Sequence, residues 1–156
     1  MISQMRRSDR AMSPEEADEL LSRCLYGVLS TVCDDGQPYG VPISYAYDGK
    51  RIIVHCAQGV GQKLVNMHAE PRVSFTVVGD VQTEPGKFTT KYESAIVIGE
   101  AHEILDTEAK KAALHLLIDK YSNDFQERGA KYIDGAAAKA SVFEITIQHV
   151  TGKARR

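Results

Sequence analysis

The segment at residues 52–67 combines residue types that can hold an anion. It begins with an apolar, β-branched run that predicts a strand, and two glycines, Gly59 and Gly61, follow in a predicted loop. Lys63 then opens a short helix-like segment. Backbone N–H groups and the helix dipole favour an anion at a helix N-terminus, and the lysine adds a full positive charge. The segment therefore predicts a loop that binds the phosphate of a small ligand.

The same residues also fit a simpler structure, a glycine turn followed by a surface helix with an exposed lysine. The spacing matches neither G-x-x-x-x-G-K-[ST] nor G-x-G-x-x-G, so the pattern alone leaves both interpretations open. Cys56, beside the predicted loop, has two interpretations as well. It is either a functional thiol or a small buried residue.

The overall composition excludes several functional classes. The chain of 156 residues has a net charge of −2, so no basic field is available to attract nucleic acid. No apolar run approaches the roughly 20 residues that a membrane-spanning helix needs. The polar N-terminal residues lack the apolar core of a secretory signal, so the expected location is cytoplasmic. The length predicts a single domain over residues 1–156.

The cysteines and histidines show no metal-binding pattern. Cys24, Cys33 and Cys56 form no C-x-x-C pair, and their odd number argues against a complete disulfide framework. Reduced thiols are expected. The four histidines other than His55 have no metal-ligand spacing, so no metal site is predicted.

Helix and strand signals alternate along the chain, and strands predominate. A capping-box pattern at residues 13–16 begins one helix, and Asp106 is a candidate N-cap for a second helix over residues 107–121. Residues 79–87 and 122–140 are predicted polar connections. Six strands are predicted, at residues 26–32, 39–47, 51–55, 72–78, 92–103 and 141–150. The pattern predicts a mainly β fold, a six-stranded antiparallel β-barrel with peripheral α-helices.

The strand predicted over residues 39–47 has two different faces. One carries large side chains and the other mostly small ones: Val41, Ile43, Tyr45 and Tyr47 on the first, and Gly40, Pro42, Ser44 and Ala46 on the second. The second face is low and flat, which suits a planar ring lying against the backbone. Ser44 adds a compact hydrogen-bonding group to that face, and a merely solvent-facing hydroxyl is the alternative.

Several short motifs recur in the order typical of one protein family. They are M-R-R-S-D-R, Y-G-V-L-S-T, D-G-Q-P-Y-G-V-P-I-S-Y, V-H-C-A-Q-G-V-G-Q-K, P-R-V-S-F-T-V-V-G, Y-E-S-A-I-V-I-G-E-A and T-G-K-A-R-R. Together they span essentially the whole chain. The chain resembles the pyridoxamine 5′-phosphate oxidase superfamily, whose fold is the flavin mononucleotide (FMN)-binding split barrel, and within it the 5-nitroimidazole resistance (Nim-type) proteins.

This resemblance implies FMN as the cofactor, bound in a cleft at the interface of a homodimer. By position, the strand at residues 40–45 would lie along the flavin ring, and Lys63 would pair with the phosphate. Tyr92 would face flavin or substrate across the interface, or else belong to the core at the barrel rim. The cofactor-binding residues implied by the match are Gly40, Val41, Pro42, Ile43, Ser44, Tyr45, His55, Cys56, Ala57, Gly61, Gln62, Lys63 and Tyr92.

His55 is the residue to which the resemblance assigns chemistry. A histidine at the matching position lies by the flavin in this family, and an imidazole exchanges protons near neutral pH. His55 is therefore the predicted catalytic residue, which supplies protons to a substrate that is being reduced. The alternative is a histidine that positions the flavin and transfers no proton.

The activity implied is reduction of small nitroaromatic compounds, with electrons from a nicotinamide or another donor. The chain ends in T-G-K-A-R-R where pyridoxamine 5′-phosphate oxidases carry an R-L-x-P-type signature, which argues against vitamin B6 oxidase activity. Two alternatives stay open: an oxidoreductase of the same fold with another substrate, and a non-catalytic flavin-binding redox or storage module. The homodimer is also expected because the strand faces around Val73, Phe75, Val97 and Ile98 exceed what one short helix can cover.

Overall fold

The computed structural model describes residues 5–156, which form four α-helices and eight β-strands. The helices are α1 (Pro14–Arg23), α2 (Gln62–Ala69), α3 (Thr107–Tyr121) and α4 (Gln126–Ala136). The strands are β1 (Gly27–Val32), β2 (Pro38–Ile43), β3 (Ala46–Tyr47), β4 (Arg51–Ala57), β5 (Arg72–Val78), β6 (Gln82–Glu84), β7 (Thr89–Glu103) and β8 (Ala140–Arg155).

The eight strands form one antiparallel sheet that curves into a barrel. Their order is β2-β1-β5-β7-β8-β4-β3, and β6 pairs with β7 beside this path. β7 and β8 are 15 and 16 residues long and pair along most of their length, so they form the longest ladder of the barrel. The expected class, a mainly β antiparallel barrel with peripheral helices, is confirmed.

The strand count is eight rather than six for two reasons. The strand predicted over residues 39–47 changes partner, since β2 pairs with β1 whereas β3 pairs with β4. The polar connection at residues 79–87 contains β6, which extends the start of β7 as a short hairpin. Neither feature has a local apolar signal, because pairing partners are decided by the tertiary structure.

The inner face of the sheet encloses the main hydrophobic core. α1 and α2 contribute Leu20, Leu21, Leu64 and Met67 to this core. The capping box predicted at the start of α1 is present, because the Ser13 hydroxyl accepts from the Glu16 backbone N–H while the Glu16 carboxylate accepts from the Ser13 N–H. The predicted Asp106 cap of α3 is present as well.

The outer face of the sheet has a covered half and an open half. α3 and α4 pack over β3, β4 and the start of β8, where a second apolar cluster forms around Ile53, Ala113, Leu117, Ile133 and Val142. α4 was not expected, because the alanines and glycines of residues 122–140 give a weak helical pattern. Among the described residues, the helices that contact β1 and β7 are α1 and α2, and their buried side chains belong to the inner core rather than to the outer face.

The open half of the outer face, called the open face below, follows from the strand register. Two cross-strand rows define it: Pro42–Val28–Thr76–Ile96 and Gly40–Ser30–Ser74–Ile98. Three of the apolar residues expected to face a partner, Val73, Phe75 and Val97, are at most 5% exposed and lie in the barrel core. That part of the expectation is wrong, since alternation turns these residues inward and leaves Ile96 and Ile98 outward.

The C-terminal residues belong to the sheet. β8 continues to Arg155, and Tyr92 of β7 pairs with Arg155 at its end. Main-chain hydrogen bonds along this ladder hold the last residues in place.

Candidate functional site

A split in the barrel lies between β2 and the end of β4. β3 pairs with β4 through Ala46 opposite Ile53, and this register continued by two residues sets Ser44 opposite His55. The ladder with β4 ends at Ala46, and β2 is paired along its other edge with β1. The backbone edges of β2 and of residues 55–57 therefore face one another without a shared ladder.

Tyr121, the last residue of α3, fills the point where the strands part. Its hydroxyl oxygen accepts from the Tyr45 backbone N–H at 3.0 Å and donates to the carbonyl oxygen of Leu25. It also lies 3.0 Å from the carbonyl oxygen of Tyr45. The Tyr121 side chain thus replaces the main-chain partner that Tyr45 loses at the split. Nothing in the sequence marks this tyrosine as part of a site.

The β2 edge of the split has the two faces predicted from its sequence. Gly40, Pro42 and Ser44 are exposed, whereas Val41 and Ile43 pack against the barrel core. Only the main chain of Val41 and Ile43 is therefore available to a ligand. The exposed edge is flat, because two of its three outward positions are glycine and proline.

Tyr45 is not available to a ligand. Its side chain is fully buried, and its hydroxyl donates to the carbonyl oxygen of Leu21 inside the barrel. Its backbone N–H bonds to Tyr121. Burial raises the pKa of the Tyr45 phenol strongly, so it stays neutral.

The glycine loop after β4 leaves room for a ligand. Gly59 and Gly61 have φ angles of 75° and 105°, and a Cβ atom built on either would meet nothing within 4 Å. Gly61 is the N-cap of α2, and no side chain caps this helix start. Backbone N–H groups of the first turn, near Gln62 and Lys63, therefore point toward the space beside the loop. Lys63 forms no ion pair with any residue in the range 5–156.

His55 and Lys63 are close enough for their charges to interact. Desolvation lowers the pKa of the His55 imidazole, and the Lys63 charge lowers it further. His55 is consequently neutral over more of the physiological pH range than a free imidazole. It lies on the outer side of β4, as does Ala57, whereas Cys56 turns toward the barrel core and is half-buried. Burial raises the pKa of the Cys56 thiol, which makes it a weak nucleophile.

An apolar cleft opens beside His55 on the outer side of β4. It has a volume of about 360 Å³ and lies between the end of β4, α3 and α4. Its walls are apolar apart from His55 and Lys139, and the larger wall residues are Leu114, Leu117, Ile118, Tyr132 and Ile133. The helix over residues 107–121 was predicted, but the cleft also required α4, whose packing the sequence did not indicate.

Tyr92 lies apart from His55 and the cleft within one chain. His55 pairs with Val142 near the start of β8, whereas Tyr92 pairs with Arg155 at its end. The thirteen intervening residue steps correspond to roughly 40 Å along the strand. Tyr92 therefore does not contact His55 within one chain.

Neither a metal centre nor a membrane span is found in the part of the chain that the structure describes. No group of three or more His, Cys, Asp or Glu side chains between residues 5 and 156 has the geometry to hold a metal ion. None of the described helices is both long and apolar enough to cross a membrane.

Known proteins share this architecture over most of the chain. A Rhizobium meliloti protein of uncharacterized function is 28% identical over 151 residues, covering 93% of this chain and 94% of its own length. An FAD-binding protein from Mesorhizobium loti is 28% identical, with a TM-score of 0.69, and the match covers 94% of this chain and 98% of that one. A Bacteroides thetaiotaomicron protein named as a candidate 5-nitroimidazole antibiotic resistance protein is 21% identical, with a TM-score of 0.79 and coverage of 92% and 86%.

The sequence of the chain also matches a protein-family model. The model for pyridoxamine 5′-phosphate oxidase matches residues 13–154, which include the split, the glycine loop and all eight strands except the last residue of β8. A match of this extent agrees with the resemblance seen in the short motifs. The chain belongs to the pyridoxamine 5′-phosphate oxidase family.

Proposed function

We propose that the protein binds FMN in the split, with the phosphate at the glycine loop. The observation that carries this proposal is the uncapped start of α2, where open space beside Gly59 and Gly61 adjoins the unpaired Lys63. Free N–H groups, a helix dipole and one full charge are the features that bind a phosphate. The FAD-binding neighbour from Mesorhizobium loti supports a flavin as the ligand.

The flavin ring would lie along the exposed edge of β2. Gly40, Pro42 and Ser44 provide a surface without protruding side chains, so a planar ring can approach the backbone. Val41 and Ile43 would contribute main-chain groups alone, since their side chains pack inward. Tyr45 is left out of this site because it is buried. A bound flavin supplies the electron transfer, and the protein supplies orientation, access and protons.

We infer that the bound flavin reduces a small, planar, mostly apolar acceptor such as a nitroaromatic compound. The cleft beside His55 has apolar walls and a volume of about 360 Å³, which suits an acceptor of that size. Reduction of a nitro group consumes protons as well as electrons, and His55 is the titratable side chain of the cleft nearest to the split. Its imidazole can pass a proton to the acceptor.

We further propose a cytoplasmic homodimer that joins two open faces. Ile96 and Val78 are 41% and 55% exposed on the outer side of β7 and β5, beside the small residues of the two open-face rows. An isologous two-fold contact buries both copies of such a surface at once. The same contact would bring Tyr92 of one chain toward the split of the other.

The central experiment measures FMN binding by fluorescence titration of the apoprotein. Lys63→Ala removes a charge-assisted contact to the phosphate, worth about 1.5–3 kcal/mol, so affinity should fall about tenfold to a hundredfold. The matched control is Lys50→Ala, which removes the same charge from the exposed turn before β4. Equal FMN affinity in both variants would reject the phosphate position.

A second experiment separates the reductase from the alternatives. Protein loaded with FMN is reduced anaerobically and mixed with a 5-nitroimidazole, and flavin reoxidation is followed by its absorbance. Rapid reoxidation supports the reductase. Reoxidation by oxygen alone would favour another oxidoreductase or a redox module.

A further inference from the structure

The short helix α2 carries a polar side chain on the face that packs against the barrel. Asn66 is 1% exposed, and its helix neighbours Leu64 and Met67 belong to the main core. Asparagine is a poorer helix former than leucine or alanine, and burying its amide costs free energy unless the amide is hydrogen-bonded. An apolar side chain would serve packing better at this position, so the Asn66 amide has a use other than packing.

The Asn66 amide joins α2 to the hairpin of β1 and β2. Its Nδ2 donates to the Thr31 hydroxyl oxygen at 2.9 Å and lies 3.5 Å from the Cys33 sulfur, in the turn after β1. The Thr31 hydroxyl in turn donates to the Tyr39 carbonyl oxygen of β2 at 3.4 Å. The Asn66 Oδ1 accepts from Gln62 Nε2 at 2.8 Å. Both ends of the amide therefore have a partner.

Gln62 links this amide to the glycine loop, because it is the first residue of α2. The backbone N–H groups of the same turn, together with Lys63, form the proposed phosphate site. Gly59 and Gly61 precede the turn and have positive φ angles, and glycines leave the main chain conformationally free. β4 therefore does not by itself dictate where the first turn of α2 lies.

The position of α2 depends instead on its contacts with the barrel. A helix of eight residues is too short to be stable alone. The apolar contacts of Leu64 and Met67 are not directional, so they permit small rotations of the helix about its axis. Hydrogen bonds are directional, and the Asn66 amide reaches Thr31 and Gln62 together in one orientation of the helix. The amide thus fixes the direction in which the first turn points.

We propose that Asn66 is a positioning residue for the phosphate-binding turn, anchored to β1 by Thr31 and acting on the turn through Gln62. The inference rests on the proposed FMN site and deepens it, because it names what orients Lys63 and the N–H groups of the turn. In this role Asn66 touches no ligand. The flavin ring would lie along β2 and not on α2, so loss of the amide weakens recognition of the phosphate and spares recognition of the ring.

The test compares FMN with riboflavin, which has the same ring system and no phosphate, by fluorescence titration of the apoprotein. Asn66→Leu fills the site with an apolar side chain, and Thr31→Val removes the hydroxyl at nearly equal volume. Each should lower the ratio of FMN affinity to riboflavin affinity about tenfold. The double variant should lose no more than Asn66→Leu alone, because the two residues share one contact. Val65→Ala, at an exposed position of α2, is the control and should keep the wild-type ratio.

The ³¹P NMR signal of bound FMN is the second readout, and it should shift in Asn66→Leu but not in Val65→Ala. An unmoved signal, or equal losses of affinity for FMN and riboflavin, would overturn the proposal and leave Asn66 a residue of general stability. A wild-type ratio retained in both Asn66→Leu and Thr31→Val would refute the role of Asn66 alone. Wild-type protein that binds riboflavin as tightly as FMN would refute the phosphate position itself, and the role of Asn66 with it.

Discussion

The Tyr121 hydroxyl lies 3.0 Å from both the backbone nitrogen and the backbone oxygen of Tyr45. A side chain from the end of α3 thus occupies the position that a neighbouring strand would occupy in a closed barrel. The contact separates β2 from β4 and so defines the split on which the proposed site depends. The Tyr45 side chain itself points into the barrel core and is fully buried.

The first prediction concerns this contact. Tyr121→Phe leaves the Tyr45 N–H without its partner, and an unsatisfied buried donor costs about 1–3 kcal/mol. We expect the free energy of unfolding, measured by urea denaturation, to fall by that amount. Tyr26→Phe is the control, since Tyr26 is 64% exposed and its hydroxyl makes no hydrogen bond to residues 5–156. Equal stability of the two variants would show that the contact is not needed at the split.

The second prediction concerns the backbone of the glycine loop. Gly61 has a φ of 105°, where a side chain strains the main chain even though the space around it is empty. Gly61→Ala should destabilise the protein by about 1–3 kcal/mol and weaken FMN binding. Gly135→Ala, in α4 and equally open to solvent, should instead be neutral or slightly stabilising. A Gly61→Ala protein with wild-type affinity would contradict a role of this loop in binding the phosphate.

The third prediction concerns His55 as a proton donor. Because desolvation and Lys63 lower its pKa below the ordinary value of an imidazole, the protonated fraction falls as the pH rises within the range below neutrality. The rate of acceptor reduction should therefore increase as the pH is lowered. His55→Gln should retain FMN, lose about 10²–10⁴-fold in this half-reaction and abolish the pH dependence.

Stopped-flow measurements of the two half-reactions check this prediction. Loss confined to flavin reoxidation supports proton delivery to the acceptor. Unchanged rates in both halves, together with weaker FMN binding, would instead make His55 a residue that positions the flavin.

The fourth prediction concerns Lys120, whose ammonium group is buried without a hydrogen-bond acceptor among the described residues. Its Nζ lies 3.7 Å from the centroid of the Tyr45 ring, and desolvation lowers its pKa. The pKa of Lys120 is higher in the unfolded chain than in the folded protein. At a pH between these two pKa values the unfolded state binds more protons, so the free energy of unfolding rises with pH in that range. Below the folded-state pKa the full penalty for the buried charge is present. Lys120→Met should therefore stabilise the protein at pH 7 by roughly 1 kcal/mol, the lower end of the cost of an unpaired buried polar group.

Urea denaturation at pH 7 and pH 10 measures this effect. The gain from Lys120→Met should shrink at the higher pH, whereas Lys131→Met, on an exposed side chain of α4, should change little at either pH. Destabilisation by Lys120→Met at pH 7 would mean that the cation–π contact outweighs desolvation.

The fifth prediction concerns the open face. Ile96→Asp places a charge at the centre of the proposed dimer contact and should convert the protein to a monomer in multi-angle light scattering at micromolar concentration. Leu105→Asp is the control, because Leu105 is 80% exposed in the connection between β7 and α3. A wild-type protein that is monomeric with FMN bound would refute the interface.

Local chemistry determined much of the fold in advance. The capping box at Ser13 and the Asp106 cap depend on residues within one helical turn, so their sequence spacing is sufficient to predict them. The alternation of Val41 and Ile43 with Gly40 and Pro42 likewise appears on the two sides of β2 as expected. The glycine loop and Lys63 are adjacent in sequence, which is why they could be recognised together.

The remaining features depend on contacts between distant parts of the chain. Tyr121 meets Tyr45, and Ala11 meets Lys153, across separations that no local pattern encodes. The inward turn of Val73, Phe75 and Val97 follows from the register of β5 and β7, since a shift of one residue exchanges the two faces of a strand. The sequence by itself therefore determined most of the elements and the glycine loop that adjoins Lys63. Only the tertiary structure decided which side chains share the split, the cleft and the open face, because strand pairing joins residues that are remote in the chain.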